Sequence, residues 1–336
     1  MRVWLVVAAL MWCSLPGWGL QISQIEFRLA PIPGEETQFS FQVRNDGGSA
    51  QRVAVYLGDW TRDETGANRF HPPGTVDRSL TGWLSVTPAS FTLAPGENRQ
   101  VDCTLTLPPP DQVRLAGTYW GMVFVQGEPR PVEREGTTVL AVERFGVKVY
   151  ATVGGGERAG EIRGIRVRGL NPMWLEVKFV NTGTVNLPQV DGWAEVIDAQ
   201  GASVARVELD PFPVLPGAQR WVRLDTDFRP PAGTYSVMVV VDVGGEVLIG
   251  GQTRLQVSPL ALAPLPGAAG VPQDLDGDGF YEDVDGSGTL DSQDVLAFVQ
   301  SFDLPRVQAS WRAFDFDNDG DVDWEDVFSL EELAAP

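Results

Sequence analysis

Asp283-Val-Asp-Gly-Ser-Gly-Thr-Leu-Asp-Ser-Gln-Asp294 and Asp315-Phe-Asp-Asn-Asp-Gly-Asp-Val-Asp-Trp-Glu-Asp326 repeat one pattern. Oxygen-bearing side chains stand at loop positions 1, 3, 5, 9 and 12, with glycine at 6. A twelve-residue loop wraps calcium with this spacing: side-chain oxygens come from 1, 3, 5 and 12, a backbone carbonyl from 7, and 9 often acts through water. Asp283, Asp285, Ser287 and Asp294 are therefore expected to hold one ion, with Thr289 at position 7 and Asp291 at 9. Asp315, Asp317, Asp319 and Asp326 are expected to hold a second, with Asp321 and Asp323 at the same two places. Gly288 and Gly320 permit the sharp turn at position 6. Leu290 and Val322, apolar at position 8, suggest that the two loops pair back to back.

Each loop runs into a short amphipathic segment. Val295, Leu296, Phe298, Val299 and Phe302 follow the first, and Val327, Phe328, Leu330 and Leu333 follow the second. Both sets fit one apolar face of a helix. No periodic helix precedes either loop. This duplicated loop-then-helix unit, with Asp rather than Glu at position 12, resembles the dockerin family over about residues 273–333. The resemblance implies a module that folds on calcium and docks a cohesin-type protein partner. It also implies partner contacts at loop positions 10 and 11, here Ser292 and Gln293 in one half and Trp324 and Glu325 in the other. The halves differ there, which argues against interchangeable two-way binding.

A third acidic run lies just upstream. Asp274, Asp276 and Asp278 match positions 1, 3 and 5, Gly279 matches 6, and Phe280 would offer its carbonyl at 7. Position 12 falls on Asp285, which the next loop already uses. Either two ions share carboxylates, or the run is a solvated entry to the loop pair.

Charge follows the same geography. From Gln273 onward eighteen Asp and Glu face two Arg, so −16 of the chain's net −20 lies in the tail. That balance excludes nucleic acid as a natural partner. Without metal the tail repels itself, and bound cations would both cancel the repulsion and supply folding free energy. At the other end, Arg2, the apolar run Val3 to Trp12 and the small-x-small site Gly17-Trp-Gly19 read as an export signal over residues 1–19, with maturation near Leu20. Its apolar core is too short to span a bilayer. No later segment is a membrane candidate. Cleavage would leave Cys103 as the sole cysteine, so no intramolecular disulfide staples the 336-residue chain.

Between the ends the pattern is short alternating strands punctuated by Gly and Pro. Gln24–Arg28, Gln38–Val43, Arg52–Tyr56 and Gln100–Leu107 read as half-buried strands, and the apolar runs Tyr119–Val125 and Val139–Tyr150 as central ones. A similar block follows Gly154-Gly-Gly156, and its motifs echo the first. Phe91-Thr-Leu-Ala-Pro-Gly96 returns as Phe212-Pro-Val-Leu-Pro-Gly217, Gly117-Thr-Tyr119 as Gly233-Thr-Tyr235, and the Asn45-Asp-Gly47 turn as Asn181-Thr-Gly183. The expected fold is mainly β: two immunoglobulin-like β-sandwiches (20–155 and 156–257), a linker rich in Ala, Pro and Leu (258–272), and a small α-helical calcium-loop domain (273–336).

Asp59-Trp60, Trp83-Leu-Ser-Val-Thr-Pro88, Leu93-Ala-Pro-Gly96, Gly117-Thr-Tyr119 and Phe145-Gly-Val-Lys-Val-Tyr150 resemble the periplasmic pilus-assembly chaperones. That resemblance implies that Arg28, on an early strand, and Lys148, on the last, anchor the terminal carboxylate of an exported subunit. Read as strand residues alone, they are two outward-facing charges.

Catalytic patterns are absent from the sequence. The single histidine, His71, sits in a polar stretch before Pro72-Pro73, and there is no nucleophile elbow, phosphate loop, dinucleotide fingerprint or Cys/His metal cluster. The acids ahead of the tail, Asp59, Asp63, Glu64, Asp191 and Asp210, are scattered. Trp60, Trp83, Trp120, Trp174, Trp193 and Trp221 read as core and edge aromatics, or as sugar-stacking surfaces if exposed. The expectation is an exported, non-enzymatic calcium-binding interaction protein docked by its tail. The alternatives are a pilus-chaperone-like binder of exported subunits, or a carbohydrate-binding accessory of a polysaccharide-degrading complex.

Overall fold

The computed structural model describes residues 19–109, 116–134 and 137–335. The export signal expected over residues 1–19 therefore lies, but for Gly19, outside the described residues. The chain divides into two compact units: residues 1–160 with 180–188 and 213–220, and residues 161–179 with 189–212 and 221–336.

Twelve strands build the first unit: β1 (Leu20–Ile22), β2 (Glu26–Leu29), β3 (Glu36–Asn45), β4 (Gln51–Arg62), β5 (Asn68–His71), β6 (Leu84–Thr87), β7 (Ser90–Leu93), β8 (Asn98–Thr106), β9 (Gly117–Gly127), β10 (Arg130–Arg134), β11 (Thr137–Ala141) and β12 (Arg144–Val153). One sheet runs β1-β3-β8-β6 and the other β2-β12-β9-β4-β5, with β7 on β4. Alternate residues of both turn inward. Phe41, Val43, Val101, Cys103 and Leu105 from one sheet meet Val53, Val55, Val123, Val125, Val147 and Val149 from the other. This is an immunoglobulin-like sandwich whose core Cys103 is a buried free thiol, its pKa pushed up to about 12 by burial. A thiol so held is packing, not chemistry.

β9 is buried on both faces because the outer side of its sheet carries a second cluster. Trp60, Trp120, Met122, Phe124, Tyr150 and Leu215 pack there. The run Val139–Tyr150, expected as one central strand, is instead two. β11 ends at Ala141, pairs only with β10, and leaves Val139, Leu140 and Val142 exposed. The break falls at Glu143, whose Oε2 turns in to accept the Leu20 amide at 3.2 Å.

Seven strands follow: β13 (Gly160–Leu170), β14 (Met173–Asn181), β15 (Leu187–Ile197), β16 (Ser203–Val214), β17 (Gln219–Asp225), β18 (Gly233–Asp242) and β19 (Ile249–Val257). They form a three-stranded sheet, β13-β14-β17, and a four-stranded one, β16-β15-β18-β19. Strict alternation buries Leu175, Val177 and Phe179 of β14, and Val237, Val239 and Val241 of β18.

The repeated motifs hold the same hydrogen-bond clamp twice. Asn45, fully buried, gives Nδ2 to the carbonyls of Ser49 and Leu93 and takes the Gly47 amide on Oδ1. Asn181 does the same with Val185, Val214 and Gly183. The backbone of each Asn also exchanges hydrogen bonds with the Pro-Gly turn opposite, Gly96 and Glu97 in one case and Gly217 and Ala218 in the other. The echo in sequence is thus one tertiary device used twice.

Residues 258–272 contain no helix or strand. They are more than a spacer, because Leu265 is buried in the tail's core and Leu260, Leu262 and Ala268 pack on it. In the tail, α1 (Ser292–Val299), α2 (Pro305–Ala309) and α3 (Trp324–Leu333) enclose Phe298, Val307, Phe314, Val322, Val327 and Leu330. The sequence reading placed no helix ahead of the second loop. α2 forms there because Pro305 presets the first turn and Val307 is buried.

Candidate metal centre

Each acidic loop ends by starting a helix. Asp291 caps α1 by accepting the Gln293 amide at 2.7 Å, and Asp294 reaches back to the Asp291 amide at 2.8 Å. Asp323 and Asp326 repeat this reciprocal cap on α3 at 2.8 and 2.7 Å. The spacing of positions 9 and 12 is therefore a helix-capping box as well as a ligand spacing. The backbone turns on positive φ at positions 4 and 6 of both loops: Gly286 (68°) and Gly288 (90°), then Asn318 (65°) and Gly320 (106°). A β-carbon resists this conformation, which explains glycine at three of the four places.

Two carboxylate triads result. Asp283, Asp285 and Asp294 bring one oxygen each to within 4.8 Å of the others, and Asp315, Asp317 and Asp326 do likewise. Asp283, Asp294, Asp315 and Asp326 are fully buried. In the first loop Ser287 Oγ lies 3.2 Å from the Thr289 carbonyl and 3.5 Å from Asp283 Oδ1, so the side chain at position 5 touches positions 1 and 7. Asp291 and Asp323 stand outside the triads and serve the helix caps. Asp319 and Asp321 stand outside as well, with Asp321 exposed and its amide on Asp319 Oδ1 at 3.2 Å. The loops do not bridge through Leu290 and Val322. Gln308 Nε2 donates to the Val322 carbonyl at 2.7 Å, and the tail's isolated bridge joins Gln273 to Asp283.

Among the described residues no Lys or Arg forms an ion pair with the four buried aspartates. Asp315 Oδ2 is buried and lacks a hydrogen-bond donor; the Gly320 amide lies against this carboxylate without reaching bonding geometry to Oδ2. Burial pushes the Asp294 and Asp315 pKa values up and lifts Asp326 from 3.8 to about 6. An all-oxygen donor set of this charge suits a hard divalent cation such as calcium.

The shifts set a pH dependence. Without metal, the folded carboxyls hold protons more tightly than the unfolded ones do. That contribution to stability is fully present below pH 3.8 and lost as pH rises through about 6. A bound cation would require the ionised form, so any calcium affinity would fall as pH drops through about 6. The calcium-induced rise in the tail's melting temperature is expected to be large at pH 7.5 and small at pH 5, read by circular dichroism. Equal rises at both would refute the proton competition.

The third run turns the same way at its start, with Gly277 at φ 84° and Gly279 at 97°. Asp274, Asp276 and Asp278 do cluster, but Asp285 belongs to the neighbouring triad. The fourth member is Glu282, a position the twelve-residue template passes over.

Ser292, Gln293, Trp324 and Glu325, the expected partner contacts, are all exposed at the helix starts. The helices are less one-faced than their periodicity implies. Leu296 is half exposed, and Phe328 and Leu333 are 58% and 57% exposed rather than buried. Trp324 packs one side on Phe302, with ring centroids 4.9 Å apart, and Phe328 stands beside it at 6.4 Å.

On the first sandwich Arg28 and Lys148 lie on neighbouring strands, with one residue pair between them along the ladder. β2 runs parallel to β12 with Lys148 opposite Glu26 and Arg28 opposite Tyr150. Arg28, largely exposed, gives Nε to Glu26 at 2.6 Å. Lys148 lies 5.1 Å above the Trp60 ring, and Arg62, unforeseen from sequence, stands 5.4 Å from the same ring. Burial, then Arg62, lowers the Lys148 pKa.

Other candidates resolve into structure. Asp59 is fully buried on four donors. His71 ends β5 with Nε2 on Thr61 at 2.8 Å. Trp174, Trp193 and Trp221 each carry a guanidinium, from Arg223, Arg206 and Arg166, at 4.1, 4.5 and 4.0 Å, which a stacking sugar would have to displace.

The fold and these clusters define a class, immunoglobulin-like tandem sandwiches carrying an acidic loop–helix tail. No protein-family model matches the chain, and no curated protein matches it. Solved structures similar to it include a chaperone–tip adhesin complex of CFA/I fimbriae, at 13% identity and a TM-score of 0.39, covering 72% of this chain and 99% of that one. The Escherichia coli chaperone DraB is similar at 16% identity and a TM-score of 0.35, covering 72% and 97%. A CsuC–CsuE chaperone–tip adhesion subunit complex of Acinetobacter baumannii is similar at 13% and 0.36, covering 72% and 99%.

Proposed function

We propose that this chain is an exported, non-enzymatic protein-binding protein whose tail is ordered by calcium. The observation that carries the reading is Asp315 Oδ2, a buried carboxylate oxygen with no donor inside a triad of carboxylates. Such an oxygen costs about 1–3 kcal/mol or more unless a cation meets it. An ion would be held by Asp315, Asp317 and Asp326, and by Asp283, Asp285 and Asp294 in the sister loop. Ordering both loops fixes α1 and α3 and presents Trp324 and Phe328 at the surface. A cohesin-type partner is the finer form of this reading and is supported by the loop pattern alone. Export is supported by the leader's sequence, and by β1 beginning at Leu20, just after it. The test is recovery of a protein partner by the full chain in calcium and its release by chelator. A partner set indifferent to calcium, from a tail that binds calcium, would sink the docking role.

A second reading, binding of exported subunits in the manner of pilus chaperones, is favoured by a different observation. The Lys148 ammonium is half-buried, with no carboxylate within ion-pair reach among the described residues, and Arg62 shares its ring. A desolvated cation in this state seeks an anion. A peptide with a free terminal carboxylate is expected to bind at least about tenfold more tightly than its amide, and Lys148→Ala to erase the difference. Equal binding of both peptides would remove this reading.

A further inference from the structure

Asp274, Asp276, Asp278 and Glu282 bring one carboxylate oxygen each to within 4.8 Å of one another. Glu282 is only 8% exposed. Its Oε1 accepts the Leu275 amide at 2.9 Å, whereas Oε2 is sealed from solvent and has no hydrogen-bond donor. The residue's own amide leans on the carboxylate without completing a bond to Oε2. Arg229 lies nearby, but its guanidinium rests on the Phe280 ring, 4.4 Å from the centroid. A buried carboxylate oxygen without donor or counter-ion is expensive, and three more carboxylates beside it raise the cost.

We propose that this cluster is a third calcium site, built on a loop shorter than the other two. Asp274, Asp276 and Asp278 supply positions 1, 3 and 5, and the Phe280 carbonyl supplies position 7. Glu282 closes the site from position 9, where the other loops place a helix cap. The longer Glu side chain is what lets position 9 reach the ion, so no twelfth residue is needed. Asp285 is thereby left to the neighbouring triad, and the two ions share no carboxylate. With four carboxylates and no nitrogen or sulfur, the donor set selects a hard divalent cation.

The site has its own structural consequence. Phe280 is buried between Arg229, in the turn after β17, and Phe316 of the second loop, whose ring centroid is 5.8 Å away. An ion drawing the Phe280 carbonyl inward would fix the base of the tail on that turn, apart from whatever the two helix-bearing loops do.

The test counts calcium bound per full-length chain by equilibrium dialysis. Three ions are expected for the wild type and two for Glu282→Gln. Asp276→Asn guards against misfolding, because Asp276 is exposed and an Asn keeps its bond to the Asp278 amide, 3.0 Å away. It is expected to weaken one of the three sites by about tenfold or more. Three ions retained at full affinity in both variants would overturn the proposal. A wild type that binds two ions, both lost on Asp283→Ala with Asp315→Ala, would overturn this site and leave the calcium-ordered tail standing. A wild type that binds none would end both.

Discussion

Replacing Asp283 and Asp315 together by alanine is expected to abolish calcium-induced ordering of the tail. Each aspartate stands at position 1 of its loop and is fully buried. Asp283 takes the amides of Ser287 and Gly288 at 2.8 Å each, and Asp315 takes that of Asp319 at 3.0 Å, so each organises its loop as well as standing in its carboxylate triad. Calcium at a hundredfold over its Kd adds about 2.7 kcal/mol per site to the folded state. Two sites together match the stability of many small domains. The tail would depend on that term more than most chains do. It carries −16 of the net charge, and Cys103, the only cysteine among the described residues, is locked in the first sandwich. In thermal melts followed at the helix band, the wild type should show a calcium-dependent transition that the double variant lacks. A wild type whose melt ignores calcium would refute the metal reading.

Asp59→Ala is expected to destabilise the first unit by about 3–5 kcal/mol, with no effect of calcium on the difference. The Asp59 carboxylate is completely buried and serves as a hub. Oδ2 accepts the amides of Thr75 and Val76 at 2.8 and 3.0 Å, and Oδ1 accepts the hydroxyls of Ser79 and Thr81 at 2.6 and 3.2 Å. These bonds hold residues 72–81 against the sheet that carries Trp60 and Trp120. Removing the carboxylate takes the acceptor from four donors at once. Asp59→Asn should be milder, because its carbonyl oxygen can keep both backbone amides while Nδ2 donates to the Ser79 and Thr81 hydroxyls, which can also accept. Chemical denaturation decides the matter: an alanine variant as stable as the asparagine one would show that these hydrogen bonds are dispensable.

How much was legible varies with the range of the interaction. The glycine turns of the loops and the repeated Asn-x-Gly motif were readable because each is written within a few residues or in a repeated phrase. Leu296, Phe328 and Leu333 were misjudged because periodicity assigns a face to a helix but not the partner that covers it. The break in Val139–Tyr150 was invisible for a similar reason. It depends on Glu143 meeting the Leu20 amide across 123 residues of chain. Asp59 looked like a surface acid in a turn, and its composition gave no sign of the four donors gathered around it.

By itself the sequence determined the mainly β sandwiches, the acidic tail and the two repeated loops from which its carboxylate triads are drawn. Local spacing suffices there, since a strand alternates, a loop turns at glycine and a helix starts at its cap. Tertiary structure alone decided that Arg62 joins Lys148 at the Trp60 ring, that residues 258–272 pack into the tail, and that Glu282 replaces Asp285 in the third cluster. Those outcomes turn on which buried charge finds a partner, and burial is a property of the folded chain that no stretch of it carries alone.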